Sequence, residues 1–570
     1  MFVERSYGGA LNHRSRRFPP APTAATLRLA ARLFTYSMTS ACVFASTARA
    51  DDCAIIESRS SLARLSGAHI ASVEVVNEGP ELPAVLGVFS MFHLPSRQSV
   101  IRRQLLFAAG DSVDTLRVGE TMRRLRGQRL FSDALILARQ CDPSGDVALQ
   151  VRTRDTWTLR PTMRLRAPSQ LSFGIEDRNL LGSGRLVSFT REMTLRGSGG
   201  AVSVSDPYLL NSDVAGNVRV SNLAGTHTLR LGLRNHEHSV LDTWQAEVNF
   251  ARLSYGDTVV AEKALHTIAA MALVGRRIGT STNAATSLLV GAEFDSAASI
   301  STSRSVRAGP AGALHVRSFA GLDLGLRRRT VQFDSASWIV PGANGFLDVP
   351  IGWEAEGIIG GGYERDVQAA TMKLDLWLGR VFIPHRGSIL MVDGWYSGYS
   401  GRGVDRNEIS RASMSFYSDA AYGMWGVRVT GEQVVDLDPD RRVFSLMPLA
   451  DVTAPVTRLW TARGGRALAG SMDRDFHVAR VGATSVLNVG GFIGGSYRWR
   501  VDDVPNNQLK AGVVGARLRL LSANGSVNSI RVDLGYPVIR SEILPEGKFL
   551  IVTFGTLFDA SRQRDGRRAY

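Results

Sequence analysis

The sequence predicts a mainly β protein: a transmembrane antiparallel β-barrel of about sixteen strands, preceded by one small α/β domain. Three observations predict this class. Apolar and polar residues alternate from residue 160 to residue 558, which is the period of strands with two different faces. The region before it mixes strand and helix periods, and the amino terminus has the pattern of a secretory signal peptide.

Composition excludes two other classes of protein. The 570 residues are 44% hydrophobic, with a mean hydropathy of -0.02, so the chain is not disordered. No apolar run reaches the roughly 20 residues of a spanning helix, which excludes a polytopic helical membrane protein. A near-zero average still fits barrel strands, because lipid-facing and lumen-facing residues cancel in the mean.

The net charge of +15 suggests a nucleic-acid partner. However, only four of the 67 basic residues are lysine, and the first 50 residues alone contribute +6. Many other arginines stand singly on the non-apolar side of predicted strands, as at Arg230, Arg517 and Arg531. We therefore expect them in a barrel lumen and expect no nucleic-acid partner. A soluble basic nucleic-acid binder is the alternative, and extraction without detergent would identify it.

The amino terminus predicts a signal peptide. Arg28 and Arg32 precede an apolar stretch over 33–45, followed by small residues at Ala48 and Ala50, the order of a secretory signal. We assign residues 1–50 to a signal peptide with an extended amino terminus and 51–66 to a short leader. An unstructured Ala/Arg-rich tail is the alternative.

Two cysteines remain after such a signal is removed. Cys53 and Cys141 are too far apart for a close metal-ligand pair. In an oxidising compartment we predict that they form a disulfide, and two buried free thiols are the alternative.

Residues 67–156 predict a small domain with the order β-α-α-β-β. A short strand pattern ends at the turn residues 77–80, and two helical patterns and two strand patterns follow. The apolar positions that define the five elements are, in order, Ile70, Val73 and Val75; Val100, Ile101 and Leu105; Val118, Met122 and Leu125; 134–138; and Val147, Leu149 and Val151.

Residues 157–558 predict the barrel. Leu229, Leu231 and Leu233 alternate with arginine and glycine, and similar stretches recur to the end of the region. A closed barrel with lipid outside and a charged lumen inside gives this alternation over any number of strands. Separate soluble β-domains are the alternative, although no clear linker divides the region. A soluble sandwich would need a second sheet on each apolar face.

The closing strand is predicted near residues 549–558. Phe554 and Phe558 lie on its apolar face, and they are candidates for the terminal signal that outer-membrane assembly machinery recognises. Residues 559–570 form a carboxy-terminal extension.

These motifs resemble the BamA/TamA superfamily of outer-membrane proteins, in which periplasmic POTRA domains precede a surface-antigen-type barrel. The resemblance rests on IRRQLLFAAGD over 101–111, on GIEDRNLLGSG over 174–184, which is similar to the hairpin that opens the barrel, and on DPYLL over 206–210. It extends over nearly all of the chain after residue 50.

The resemblance implies a protein of the bacterial outer membrane, with the POTRA domain in the periplasm. Its partners would be outer-membrane lipid, unfolded or extended polypeptide clients and a periplasmic or secreted protein. A POTRA sheet can add a client strand at its edge. The first and last barrel strands, near 158–166 and 549–558, would form a seam that opens sideways.

Two departures from the family pattern concern function. The family's Arg-Gly-aromatic motif lies on a loop folded into the lumen, and the candidates here are Arg463, Gly464 and Arg466, without the aromatic residue. Gly494 stands where the acidic partner is expected. A single POTRA domain also makes a long relay of clients less plausible. A passive pore or structural outer-membrane protein is therefore the alternative function.

The sequence does not indicate a catalytic or metal-binding site. The sequence has no HExxH, CxxC or Gly-x-Ser-x-Gly motif. His236 and His238 are two residues apart, which suits a solvated loop better than a metal site. We expect no catalytic residues, no cofactor, no metal and no enzyme activity.

Overall fold

The structure is a computed structural model. It describes residues 54–56, 65–80, 94–128, 130–140, 146–156, 158–166, 170–194, 197–223, 226–235, 242–255, 263–281, 284–300, 314–330, 332–335, 348–365, 368–385, 387–401, 404–420, 423–435, 465–481, 485–499, 508–524, 526–539 and 548–556. All of these lie in one compact unit, Cys53–Tyr570. The residues assigned to the signal peptide lie outside the described residues.

The small domain has the β-α-α-β-β order that the sequence predicts, with one further short strand before it. Its four-stranded sheet has the order β1-β3-β4-β2, in which β4 pairs parallel with β2 and antiparallel with β3. The elements are β1 Ala54–Ile56, β2 Ile70–Glu78, α1 Gln98–Arg102, α2 Thr115–Gly127, β3 Phe131–Gln140 and β4 Val147–Asp155.

Helix α2 covers the sheet and closes the core of this domain. Its N-cap is Asp114, whose side chain accepts hydrogen bonds from the backbone N–H groups of Leu116 and Arg117, which would otherwise have no partner in the first turn. The periodic apolar residues Met122 and Leu125 are buried in one core cluster with β2, β3 and β4. The spacing of these residues therefore predicts correctly which face of the helix packs inward.

The rest of the described chain forms one antiparallel sheet whose strand order closes into a barrel. Its first ten strands are β5 Leu159–Arg166, β6 Gln170–Leu180, β7 Arg185–Thr194, β8 Gly197–Asp206, β9 Val214–Leu223, β10 Thr226–Asn235, β11 Trp244–Tyr255, β12 Lys263–Thr280, β13 Ala284–Ile300 and β14 Leu314–Thr330. A separate hairpin follows, formed by β15 Phe333–Ser335 and β16 Asp348–Pro350.

Ten further strands complete the barrel. They are β17 Gly352–Glu364, β18 Ala369–Phe382, β19 Ser388–Gly401, β20 Val404–Ala420, β21 Gly423–Val435, β22 Gly465–Val481, β23 Ser485–Trp499, β24 Gln508–Asn524, β25 Ser526–Ile539 and β26 Phe549–Thr556. In the closed order β26 lies next to β5. The described sheet thus has twenty strands where about sixteen were predicted. The allowance of about 25 residues per strand and loop was too large, because most strands are joined by short connections.

The two faces of the barrel wall differ as the alternation predicts. On β14, Leu322 and Leu324 are 72% and 58% exposed, whereas Asp323 between them is 4% exposed. Arg327, farther along the inner face of the same strand, is also buried. Since successive side chains of a strand point to opposite faces, the apolar residues line the outside and the charged residues line the lumen. Among the described residues, no helix is both long and apolar enough to cross a bilayer.

Candidate functional site

The small domain is anchored to the connection between β6 and β7. Asn179 at the end of β6 is buried, and its Nδ2 donates to Ser96 Oγ over 2.9 Å. Its Oδ1 accepts from the backbone N–H of Gly184 over 2.9 Å. The backbone N–H of Ser96 in turn donates to Asp155 Oδ2 over 2.7 Å. One buried network therefore joins the barrel connection, the segment before α1 and the end of β4.

Two glycines allow the close approach of backbone at this anchor. Gly182 has a φ of +72°, and a Cβ built on it would lie 2.4 Å from the carbonyl oxygen of Pro95. Its own carbonyl accepts from the backbone N–H of Arg97 over 2.9 Å. Gly184 has the same φ and faces Val100 and Leu130. Both positions favour glycine, because other residues rarely adopt this backbone conformation.

A second anchor lies in the connection between β8 and β9. Tyr208 is buried, and its hydroxyl oxygen accepts a hydrogen bond from Gln104 Nε2. Arg124 Nη2 donates to Gln104 Oε1 over 3.0 Å, and the Arg103 guanidinium lies 4.9 Å from the centroid of the Tyr208 ring. Burial raises the pKa of Tyr208 to about 12. Burial also lowers the pKa of Arg124, so the anchor is a desolvated polar contact.

The hairpin formed by β15 and β16 provides a third contact. The Arg123 guanidinium lies 4.7 Å from the centroid of the Phe333 ring, and Arg123 Nε donates to Glu120 Oε2 over 2.6 Å. Strand β3 also contacts barrel strand β24. These contacts are spread around the closed strand order. The small domain therefore lies across the mouth of the barrel at one end.

Strand β2 is one edge of the small sheet, and the three-residue strand β1 is the other. The first residue of β2, Ile70, exchanges backbone hydrogen bonds with Gly110 and Asp111, and the carbonyl of Val75 accepts from Gln98 Nε2 over 3.5 Å. Between these contacts lie residues 71–74, of which all but one are exposed. This stretch is where an added strand could pair.

Side chains from distant strands meet inside the barrel. Lys373 on β18 forms an ion pair with Glu293 on β13 and another with Asp375 Oδ2 at 3.0 Å. Tyr399 on β19 donates to Glu293 Oε1 over 3.1 Å. Strands β14 and β17 separate β13 from β18, so these side chains meet over two intervening strands on the lumen side of the wall.

A second lumen cluster lies on the wall formed by β22 to β25. Arg517 Nε pairs with Asp533 Oδ1 at 2.7 Å, and Arg517 Nη1 pairs with Asp473 Oδ2 at 3.2 Å. Arg519 pairs with Asp475, and Arg531 Nε pairs with Asp533 Oδ2 at 3.0 Å. Three arginines and three aspartates of the wall thus neutralise one another.

The seam between the first and last strands is formed by short strands. β5 and β26 have 8 residues each, whereas the strands next to them, β6 and β25, have 11 and 14. Pro161 in β5 lacks a backbone donor, and prolines within sheets are confined to edge positions and bulges. The seam therefore has fewer possible backbone hydrogen bonds than the pairings of the long strands β12, β13 and β14.

The residues that the sequence singled out have different outcomes. Cys53, Cys141, Arg463, Gly464 and Phe558 lie outside the described residues, so the disulfide and the loop stay predictions.

The remaining candidates are described. Arg466 is the second residue of β22 and is exposed on the same face as Leu468, which differs from the lumen-loop position predicted for it. The strand begins before Arg466, so the alternation of β22 directs its side chain outward. Gly494 lies in the lumen-facing row with Phe492, as expected. The backbone of Phe554 lies in β26 opposite Ile530.

Sequence reasoning identified the motifs around Asn179 and Tyr208 but not their partners in the small domain. It also missed Phe333 and the ionic cluster of β22 to β25. The available signal for the cluster was the pair Asp473 and Asp475 together with Arg517 and Arg519 at the same two-residue spacing, which places each pair on one strand face.

The described residues include no group of three or more His, Cys, Asp or Glu side chains that could hold a metal ion.

Comparison with known proteins gives low similarities. No protein-family model matches the chain, and no curated protein matches it. Among solved structures, CdiB from Acinetobacter baumannii is 11% identical, with a TM-score of 0.36 over 88% of this chain and 78% of that one. CdiB from Escherichia coli is 10% identical, with a TM-score of 0.37 over 88% and 80%. BamA from Haemophilus ducreyi lacking POTRA domains 1-3 is 10% identical, with a TM-score of 0.28 over 85% of each chain.

Proposed function

We propose that the protein is an outer-membrane barrel of the assembly or translocation type. It engages unfolded polypeptide through the small domain, a POTRA domain in the periplasm, and inserts or exports it by way of the barrel. The observation that carries the proposal is the closed sheet with an apolar outer face, a charged lumen and a domain anchored across one mouth.

The outer face supports a lipid environment. Leu322, Leu324 and Leu326 on β14 are all more than half exposed, and the barrel strands β6 to β14 and β17 to β26 also expose apolar residues. A protein in water rarely exposes so continuous an apolar surface. In a bilayer, backbone hydrogen bonds must be satisfied within the sheet, which closure achieves.

The geometry favours the seam over the lumen as the route for a client. The small domain covers one mouth, and the ion pair between Lys373 and Glu293 lies on the lumen side of the wall. The seam strands are short, so opening the seam costs few hydrogen bonds. A client strand could then pair with the exposed edge of β5 or β26. The first contact would be made at residues 71–74 of β2 by strand addition.

Site-specific photocrosslinking tests client contact. A photoreactive residue at Ser72, on the exposed edge of β2, is expected to capture unfolded outer-membrane or secreted polypeptide in intact cells. The matched control is the same residue at Leu116, which is exposed on α2 and away from the sheet edge. Equal capture at both positions, or outer-membrane and secreted protein levels unchanged by depletion, would contradict the proposal.

The alternative is a passive pore or structural protein, and one observation favours it. The wall acids Asp473 and Asp475 are already paired with Arg517 and Arg519, so they need no arginine from a lumen loop. Steady conductance in planar bilayers, with no crosslinked client, would support the pore. The proposed function needs no catalytic group and no cofactor, and a secreted protein encoded nearby would identify the client.

A further inference from the structure

Two turns at the end of the barrel that carries the small domain expose leucines in an uncommon backbone conformation. Leu181, in the turn between β6 and β7, has a φ of +55° and is 61% exposed. Leu210, in the turn between β8 and β9, has a φ of +51° and is 90% exposed. A bulky residue rarely adopts this conformation. Both turns therefore present a leucine to the surroundings at some cost to the folded state.

The turn between β8 and β9 is continuous with the apolar outer face of the barrel. A Cβ built on Gly216 would lie 3.2 Å from Leu209 Cδ2 and 3.5 Å from Leu233 Cδ2. Leu233 is 45% exposed and belongs to the outward-facing row of β10. Leu209 thus packs onto the outer wall, and Leu210 extends the apolar surface beyond the ends of the strands.

The turn between β6 and β7 extends the same surface toward the small domain. Ile175 on the outer face of β6 is 49% exposed, and Leu180 at the end of this strand is 37% exposed. Leu94 of the small domain is 52% exposed, and its carbonyl oxygen accepts a hydrogen bond from Asn179 Nδ2 over 3.4 Å. Exposed leucines of the barrel and of the small domain therefore lie at the same rim.

Arginines of the small domain lie beside both turns. Arg97 Cγ lies 3.5 Å from the position of a Cβ built on Gly182, in the first turn. Arg103 Nη2 donates to Asn211 Oδ1, in the second turn. Arg102, the last residue of α1, is exposed. Among the described residues, no carboxylate forms an ion pair with any of these three arginines.

The rim has more basic than acidic side chains. Asp206, at the end of β8, pairs with Arg185 Nε at 2.8 Å, and Asp213 is the remaining acid of the two turns. The three arginines beside the turns outnumber it. Exposed leucines next to cations are typical of a surface that lies in the interface of an anionic membrane.

We propose that the two turns and the arginines beside them dock onto the leaflet of anionic phospholipids nearest the small domain. The inference rests on the proposed function, because it needs the barrel to lie in a bilayer. Leu181 and Leu210 insert at the boundary of headgroups and acyl chains, and the guanidinium groups bind lipid phosphates. Strands β6 to β9 follow the seam strand β5 in the closed order, so the docked domain stands next to the seam.

Photocrosslinking to lipid tests the contact. The full-length protein enters vesicles of equal amounts of phosphatidylcholine and phosphatidylglycerol, with a photoreactive residue in place of Leu181 or Leu210. We expect phospholipid adducts at both positions. The matched control is the photoreactive residue at Leu116 on α2, which is 52% exposed and should give none. Leu180 is the labelling position where a variant in a turn does not fold, and it should give the same adducts.

The role of the charges is tested by a second variant. Arg97→Gln with Arg102→Gln should lower the ratio of phosphatidylglycerol to phosphatidylcholine in the adducts at Leu210 by roughly fivefold, the effect of about one cation near a membrane surface. The control removes two other exposed arginines of the small domain, by Arg117→Gln with Arg152→Gln. It should keep the ratio of the wild type.

Equal numbers of lipid adducts at Leu116 and at the turns would overturn the inference. An unchanged lipid ratio in the first arginine variant would overturn the binding of phosphates by the arginines. Adducts with a protein instead of lipid at both turns, in intact cells, would assign the surface to a protein partner and overturn the lipid contact. Failure of the wild type to enter any vesicle would instead contradict the proposed function.

Discussion

Asn179 Nδ2 donates to Ser96 Oγ over 2.9 Å, although 83 residues separate the two along the chain. Both side chains are buried. The motif around Asn179 therefore does more than reverse the chain between β6 and β7, because it connects the barrel to the small domain. Any function that passes a client from this domain to the barrel depends on that connection.

Replacement of Asn179 by alanine should loosen the anchor. The substitution leaves the backbone N–H of Gly184 and the hydroxyl of Ser96 without their partner. Each buried unpaired group lowers the free energy of unfolding by about 1–3 kcal/mol. Hydrogen exchange at the Gly184 amide should accelerate, and the unfolding temperature of the small domain should fall. The control is Asn222→Ala, at an exposed position of β9. Unchanged exchange at Gly184 would show that the network does not hold the connection.

The substitution Gly182→Ala should destabilise the same anchor through the backbone. The added Cβ meets the Pro95 carbonyl oxygen, and a φ of +72° is unfavourable for alanine. We expect a loss of about 1–3 kcal/mol, measured by denaturant unfolding. The control is Gly119→Ala in α2, where a Cβ meets nothing within 4 Å and alanine should stabilise the helix slightly. Similar effects of the two substitutions would argue against a tight approach at Gly182.

The substitution Tyr208→Phe should weaken the second anchor and remove its sensitivity to high pH. The folded pKa of Tyr208 is raised to about 12 from an ordinary value of 10. The corresponding stability is therefore complete below pH 10 and is lost as the pH rises through 12. Crosslinking between the small domain and the barrel should fall over this range in the wild type. The phenylalanine variant should lack this step, and a step of equal size in both proteins would assign it to another group.

Stability at acid pH should depend on Glu78. Its hydrogen bond with Arg154, followed by that with Arg152, lowers the pKa of this carboxyl below its ordinary value of 4.5. The ion pairs therefore stabilise the folded domain above pH 4.5, and their contribution is lost as the pH falls through the lower folded pKa. Glu78→Gln should reduce the unfolding temperature near neutral pH and have little effect in acid.

The control for this pH profile is Glu74→Gln. Glu74 accepts a hydrogen bond from the uncharged amide of Gln150, so its replacement should have the smaller effect near neutral pH. A difference in unfolding temperature between the wild type and Glu78→Gln that persists unchanged into acid would show that the Glu78 carboxylate does not cause the pH dependence.

In the ionic cluster of β22 to β25, removal of one charged residue should lower the free energy of unfolding more than removal of both members of an ion pair. Arg519→Leu leaves Asp475 buried without its cation, and a broken buried pair costs about 3–5 kcal/mol. The double variant Arg519→Leu with Asp475→Leu should recover part of that loss. Thermal unfolding of the wild type, both single variants and the double variant in detergent gives this double-mutant cycle. Additive losses in the double variant would mean that the two residues do not stabilise each other.

The predictability of the fold follows from the range of the interactions. The two-residue alternation of the barrel and the periods of α2 are local patterns, and they identified the strands, their two faces and the order of the small domain. The number of strands was underestimated, because connection lengths have no periodic signal. Arg466 was predicted in a loop but lies in β22. The start of this strand is set by pairing with β21 and β23, which the residues next to Arg466 in the sequence do not indicate.

By itself, the sequence determined the class of fold, the lumen-facing rows such as Gly494 with Phe492, and the motifs around Asn179 and Tyr208. Only the tertiary structure decided what those motifs contact and which strands bring Lys373 to Glu293. The physical reason is that these contacts depend on strand register and on closure of the sheet. Both arise from pairing between distant segments, which a single sequence read along its length does not contain.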